Sequence, residues 1–184
     1  MKKILLLGDS IRLNYMPMVC KNLYGRAEVY GPTDNCRYAK YTLWCLSDWL
    51  ELCGDAPDVV HWNNGIWDIT KYNGYELFTP VEEYIETLGR ILRDLQKTGA
   101  HIIFATSTPV RDQNPLQANI DIDYYNSRAV HFMQTKGVEI NDLNGFVRPH
   151  IEEYIDATDF THLNKEGIKQ VGNRVTQVLE PYLD

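Results

Sequence analysis

Three apolar runs constrain this chain more than any other feature: Lys3 to Gly8 (KILLLG), Asp58 to Asn63 (DVVHWN) and Ala100 to Thr106 (AHIIFAT). Each is near-continuous rather than alternating, the pattern of a strand buried on both faces. Strands of that kind belong to parallel sheets, whose neighbours are joined by crossovers, usually helices. Helical spacing fills the intervals, at about 11 to 24, about 37 to 53 and about 80 to 97. In the third of these, Thr79-Pro80-Val81-Glu82 offers a capping Thr, a Pro at the first helical position and a Glu at the capping-box position, and Gly99 ends the helix. Ala27 to Gly31 (AEVYG) and Val138 to Asn141 (VEIN) read as two shorter strands, and about 117 to 136 and about 165 to 182 as further helices. The alternation is βαβαβαβαβα, the signature of a doubly wound parallel sheet with helices on both faces. No repeat, low-complexity tract or linker divides the chain, although 107 to 117 is a polar, Pro-containing loop, so residues 1–184 are expected to form a single domain.

At 184 residues such a domain buries enough surface to need no metal or disulfide staple. The four cysteines, Cys20, Cys36, Cys45 and Cys53, lack the paired C-x-x-C spacing of zinc sites and are expected to be reduced, with Cys45 and Cys53 as small buried hydrophobes. Eighteen basic against 25 acidic residues give a net charge of -7, which repels a phosphate backbone, so nucleic acid is not an expected partner. No apolar run approaches the roughly 20 residues of a membrane span. MKKILLLGDS also reaches Asp9 too soon for a signal-peptide apolar segment, so no membrane partner and a cytoplasmic location are expected.

In doubly wound sheets ligands gather outside the carboxyl ends of the strands, near the point where strand order reverses. The loops that matter therefore begin at Gly8, Gly31, Asn63, Thr106 and Asn141. Ser10 follows the first strand directly in Gly8-Asp9-Ser10, where the free N–H groups of the next helix also point. It is a candidate nucleophile; the plainer reading is that it caps that helix. A serine nucleophile needs a base and a group to orient the base. Asp159-Phe160-Thr161-His162, in a loop before the last helix, has the spacing to bring a carboxylate to the imidazole Nδ1 and leave Nε2 facing Ser10. Asp58-Val59-Val60-His61 repeats the D-x-x-H spacing, but within a strand residues three apart point to opposite faces. His61 is therefore expected to be a satisfied, half-buried histidine, and His101, His131 and His150 to be structural or on the surface.

A GDS at the end of the first strand, a polar Asn/Gly turn after the third and D-x-x-H before the last helix together resemble the SGNH, or GDSL-type, hydrolases, over nearly the whole chain. The resemblance implies a three-layer α/β/α sandwich around a flavodoxin-like, five-stranded parallel sheet, carrying a serine esterase site. Ser10 is then the nucleophile, His162 the general base and acid, Asp159 the orienting carboxylate and the Ser10 N–H one oxyanion donor, with no metal or organic cofactor. The family's third block reads G-x-N-D, its Asn donating to the oxyanion, whereas this chain reads Asn63-Asn64-Gly65-Ile66-Trp67-Asp68 with Trp67 in place of that Asn. Asn63 is the first candidate for the donor and Asn64 the second; a plain turn is the alternative. For the donor after the second strand, Gly31 and a backbone N–H around Asn35 to Arg37 are both candidates.

The implied substrate is a small acyl ester, an O-acetylated carbohydrate first, because Trp62, Trp67, Tyr72 and Tyr75 cluster after the third strand and can form a platform for a sugar ring. Asp9, Trp62 and Trp67 are the expected substrate contacts; the bland reading is that the aromatics pack the loop onto the helices. The alternatives are a carbohydrate-binding protein of weak catalytic power and a lipase or thioesterase for longer acyl chains. A flavodoxin or phosphoacceptor is disfavoured: Ile11-Arg12-Leu13-Asn14 is poor in Ser, Thr and Gly for a flavin phosphate, and the third strand does not end in Asp.

Overall fold

A computed structural model describes residues 1–72 and 76–183. In chain order the elements are β1 (Lys2–Leu7), α1 (Ser10–Asn22), β2 (Ala27–Tyr30), α2 (Ala39–Glu51), β3 (Val59–Trp62), β4 (Lys71–Tyr72), β5 (Glu76–Leu77) and α3 (Val81–Gln96). They continue with β6 (His101–Ala105), α4 (Asn119–Thr135), β7 (Glu139–Asn141), α5 (Leu143–Val147), α6 (Ile151–Tyr154) and α7 (Lys165–Leu179). The main sheet has the order β2-β1-β3-β6-β7 with every pairing parallel. From β1 the chain steps outward to β2 and then crosses to the other side for β3, so strand order reverses at β1 and the Gly8–Ser10 segment leaves the sheet at that switch point.

Alternation along the strands sorts the core into two layers. Leu5, Leu7, Val60, Trp62 and Phe104 meet Trp49 of α2, Leu88 of α3 and Ala129 of α4. Ile4, Leu6, Val59 and Ile103 meet Ile11, Tyr15 and Val19 of α1 and Val171 and Val175 of α7. The runs are apolar throughout because both faces are covered, as the sequence predicts.

Parity also decides two aromatic rings. Trp62 is fully buried, edge to face with Phe104 at 5.2 Å between centroids, and its Nε1–H donates to Asn64 Oδ1 at 2.7 Å. It is a core residue and not the substrate contact expected of it. His61 points into the α1/α7 layer, fully rather than half buried, with Nδ1 3.4 Å from the Tyr15 hydroxyl and Nε2 3.0 Å from Asn141 Nδ2. Tyr75 and the Tyr72 side chain, the other members of the expected aromatic platform, lie outside the described residues.

The predicted cap of the third helix is replaced. Pro80 occupies the cap position of α3 without a side-chain bond, and the Thr79 N–H donates to the Asp68 carbonyl at 3.0 Å. The Asp68 carboxyl accepts the Ala39 N–H at 3.2 and 3.0 Å, supplying the first turn of α2 with the acceptor that its own cap, Tyr38, lacks. Burial pushes that carboxyl up to about 7 against the pull of Thr79 and Ala39. The β4–β5 hairpin and the short helices α5 and α6 have no counterpart in the sequence reading, since two to five residues carry too little periodicity. All four cysteines are free, and Cys45 is only partly buried where full burial is expected. Among the described residues no helix is long and apolar enough to cross a membrane.

Trp62→Phe keeps the ring stack but strands the buried Asn64 Oδ1, so it should lower the unfolding free energy by about 1–3 kcal/mol in urea titration. An unchanged midpoint would remove that hydrogen bond from the core.

Candidate active site

At the switch point the first residue past β1 to fix geometry is Asp9. Its Oδ1 accepts the Ile11 N–H at 2.9 Å, which makes Asp9 the cap of α1 and leaves Ser10 as the first helical residue with its hydroxyl uncommitted to capping. Burial drives the Asp9 carboxyl up to about 6, opposed by the Ile11 N–H, the Arg12 guanidinium and the His162 ring. Asp9 is almost wholly buried, so it is not placed for the substrate contact expected of it.

His162 Nε2 lies 2.8 Å from Ser10 Oγ, and His162 Nδ1 lies 2.9 Å from Asp159 Oδ2. Asp159 Oδ1 accepts the backbone N–H groups of Thr161 and His162, each at 2.9 Å, so one carboxylate holds both its own turn and the imidazole. Partial burial pushes the Asp159 carboxyl up, but those two N–H groups and the His162 ring outweigh it and keep it below the usual carboxylate range. An ionised acceptor at Nδ1 favours the tautomer with the proton there, leaving the Nε2 lone pair for the Ser10 hydroxyl.

The turn that carries this pair is strapped from outside. Phe160 sits at φ +65, in the left-handed region, and its carbonyl accepts the Arg111 N–H at 2.9 Å. The Arg111 guanidinium donates to the carbonyls of Ile155 at 2.9 Å and Glu152 at 2.7 Å and pairs with the Glu152 carboxylate. Asn114 Nδ2 reaches Thr161 Oγ1 at 2.6 Å. The polar loop 107 to 117 therefore fixes the loop before α7, a tertiary role that no motif in its sequence announces.

Ser10 and His162 open onto a cleft of about 310 Å³ walled by Trp67, Leu116, Gln117 and Asn35. None of its lining residues among those described carries a fixed charge.

No protein-family model matches the chain, and no curated protein matches it in sequence. Its architecture has close solved counterparts. The lipase/acylhydrolase from Enterococcus faecalis superposes with a TM-score of 0.82 at 18% identity, covering 98% of this chain and 96% of that one. The acetyl xylan esterase AlAXEase gives 0.80 at 17%, covering 96% and 99%, and the acetylxylan esterase Axe2 from Geobacillus stearothermophilus gives 0.74 at 15%, covering 98% and 94%. The chain has the SGNH-hydrolase fold.

Within the SGNH-hydrolase fold the middle blocks depart from expectation. Asn64 is fully buried: its Oδ1 accepts from Trp62, and its Nδ2 donates to Thr42 Oγ1 at 2.9 Å and to the Arg37 carbonyl at 3.2 Å. No donor is left over, so Asn64 is scaffold. Asn63 Nδ2 donates to the Ala105 carbonyl at 2.8 Å, and the residue lines a small internal cavity beside Asp9 and Arg12 rather than the cleft. Gly31 is required for packing: a Cβ there would sit 2.8 Å from the Leu6 carbonyl oxygen and 2.9 Å from the Met16 sulfur. Of the three expected substrate contacts only Trp67, 40% exposed, reaches the cleft.

Arg12 is the residue sequence reasoning passed over. Its guanidinium is buried, donating to the carbonyls of Gly8 at 3.3 Å, Pro32 at 2.7 Å and Asp34 at 2.8 Å, and so ties the loop after β2 to the base of the site. The signal was an arginine in the buried stripe Ile11, Arg12, Tyr15, Val19 of α1.

Beneath the site, burial drives the His61 ring down to about 4 from 6.5. Between those limits the unfolded chain binds the proton and the folded chain does not, so this contribution to stability is intact above pH 6.5 and is lost as pH falls towards 4. The raised Asp9 and Asp68 carboxyls act in the opposite sense, so the comparison must be between variants. On acidification from about pH 7 to about pH 4.5, His61→Gln should gain on wild type by on the order of 2–3 kcal/mol in urea titrations. A constant difference would mean that His61 does not titrate in this window.

Proposed function

We propose that this chain is a serine esterase that removes small acyl groups, O-acetyl first among them, from a neutral carbohydrate. The observation that carries the reading is the continuous line from Asp159 through His162 to Ser10, bonds of 2.9 and 2.8 Å, at the first residue of α1.

In this reading the Ser10 Oγ attacks the ester carbonyl carbon while His162 Nε2 takes its proton. Charge collects on the carbonyl oxygen, where the free N–H of Ser10 at the start of α1 and the positive end of that helix stabilise it. As the tetrahedral intermediate collapses, the alcohol oxygen leaves with the proton returned by His162, and the acyl group stays on Ser10. Water then attacks the acyl-enzyme, giving its proton to His162, and the second collapse releases the acid and restores the Ser10 hydroxyl. Asp159 keeps its charge throughout and stabilises the imidazolium.

The cleft supports the substrate class. A volume of about 310 Å³ lies at the low end for ligand sites and suits an acetylated sugar unit better than a long acyl chain. Trp67 supplies an exposed aromatic face and Leu116 an apolar wall, the combination that stacks a sugar ring, and the uncharged lining suits a neutral ligand. Two of the similar solved structures described above are acetyl xylan esterases, which points the same way. A carbohydrate-binding protein of weak catalytic power is the second reading, favoured by the engagement of the Asn63 and Asn64 amides in the scaffold.

Intact mass after incubation with a fluorophosphonate separates the two. Wild type should gain one adduct and Ser10→Ala none; an unlabelled wild type, beside a control enzyme that labels, would favour the binding protein. Asp159→Asn should leave the melting temperature nearly unchanged and lower kcat by on the order of 10³–10⁴-fold. Unchanged turnover would remove Asp159 from the mechanism.

A further inference from the structure

With Asn64 fully engaged and Asn63 turned to Ala105, the Ser10 N–H needs a companion donor, and the loop after β2 is where the cleft offers one. The three backbone N–H groups that could serve there are all occupied: Asn35 N donates to Asp34 Oδ1 at 2.8 Å, Cys36 N to the Gly8 carbonyl at 3.2 Å and Arg37 N to Asn35 Oδ1 at 2.8 Å. The last bond settles the Asn35 side chain. Its Oδ1 is held by the N–H two residues on, a local turn closed by the amide itself, so the donor end, Nδ2, has no partner among the described residues, and the residue lines the cleft with Ser10 and His162.

The loop that presents this amide is pinned at several points. Arg12 grips the Pro32 and Asp34 carbonyls, the Gly8 N–H donates to Cys36 Sγ at 3.3 Å, and Asn64 Nδ2 reaches the Arg37 carbonyl while Arg37 itself sits at φ +50. A donor held this firmly requires little reorganisation when charge develops, which is the property that distinguishes an oxyanion donor from a flexible polar contact.

Resting on the esterase reading, we propose that the side-chain amide of Asn35 is the second oxyanion donor, its Nδ2–H acting together with the Ser10 N–H. This sequence has then moved the donor from the turn after β3, where Trp67 now faces the cleft, to the turn after β2. No atom is transferred by Asn35; it donates one hydrogen bond that strengthens as the carbonyl oxygen becomes an oxyanion.

Asn35→Asp is the informative variant, because the carboxylate can still accept the Arg37 N–H while the donor becomes an anion; Asn35→Ala removes both ends. With 4-nitrophenyl acetate, both should lower kcat about a hundredfold or more while KM stays within about threefold, and affinity for phenylboronic acid, whose tetrahedral adduct carries an oxygen in the same place, should fall in parallel. Thermal unfolding of Asn35→Asp within a few degrees of wild type would show that the loop is kept. A kcat retained in Asn35→Asp, or a rise in KM alone, would overturn the assignment. A large kcat loss in Asn63→Ala beside an active Asn35→Asp would also overturn it and return the role to Asn63. A wild type that neither hydrolyses the ester nor takes the fluorophosphonate would overturn the parent reading, and this assignment with it.

Discussion

A buried guanidinium must find acceptors for its N–H groups or cost the fold several kcal/mol, and Arg12 finds its carbonyl acceptors at the end of β1 and in the loop after β2 that leads to Asn35. By bonding the Gly8, Pro32 and Asp34 carbonyls it joins the end of β1, the start of α1 and the loop after β2 into one body. Its charge also bears on Asp9, lowering a carboxyl that burial would otherwise raise further. The cap of α1, the place of Ser10 at the head of that helix and the conformation of the Asn35 turn thus depend on a single side chain that touches no substrate. Its removal would leave the Pro32 and Asp34 carbonyls unpaired, whereas the Gly8 carbonyl would keep the Cys36 N–H.

A second strap works from the opposite side. Arg111 and Asn114 hold the Asp159 to His162 turn and the segment before it against the 107 to 117 loop, mainly through the carbonyls of Phe160, Ile155 and Glu152. Backbone acceptors stay put when side chains rearrange, so the imidazole is positioned by the main chain around it as much as by its own carboxylate. This matters because the His162 and Asp159 side chains are 39% and 47% exposed, too open for packing to hold them.

How much of this is legible in the sequence follows the range of the interactions. The strands could be read because burial on both faces leaves an apolar run, and the helices from their period. The Asp159 and His162 pairing was readable because both groups lie in one turn, and the rejection of Asp58 with His61 followed from strand parity. The same parity, carried one residue further to Trp62, would have placed that ring in the core with Val60. The amides were not readable: Asn64 finds its partners at Thr42 and Arg37, and Asn63 its partner at Ala105, across the fold from residues of the same type that could equally have faced a ligand. Thr79 shows the limit of a local signature, since Pro80 takes the cap position of α3 while the Thr79 N–H is held by the Asp68 carbonyl outside the helix.

Ser10 and His162 stand 152 residues apart in the chain, and the helices that follow them, α1 and α7, pack against the same face of the sheet. A polypeptide emerging in order from the ribosome therefore holds Ser10 without its imidazole partner until at least 152 further residues have followed it. The imidazole arrives only when the last helix docks beside the first. For the proposed esterase, reactivity at Ser10 would in this sense be a certificate of completed folding, issued by a long-range contact rather than by any local piece of the chain.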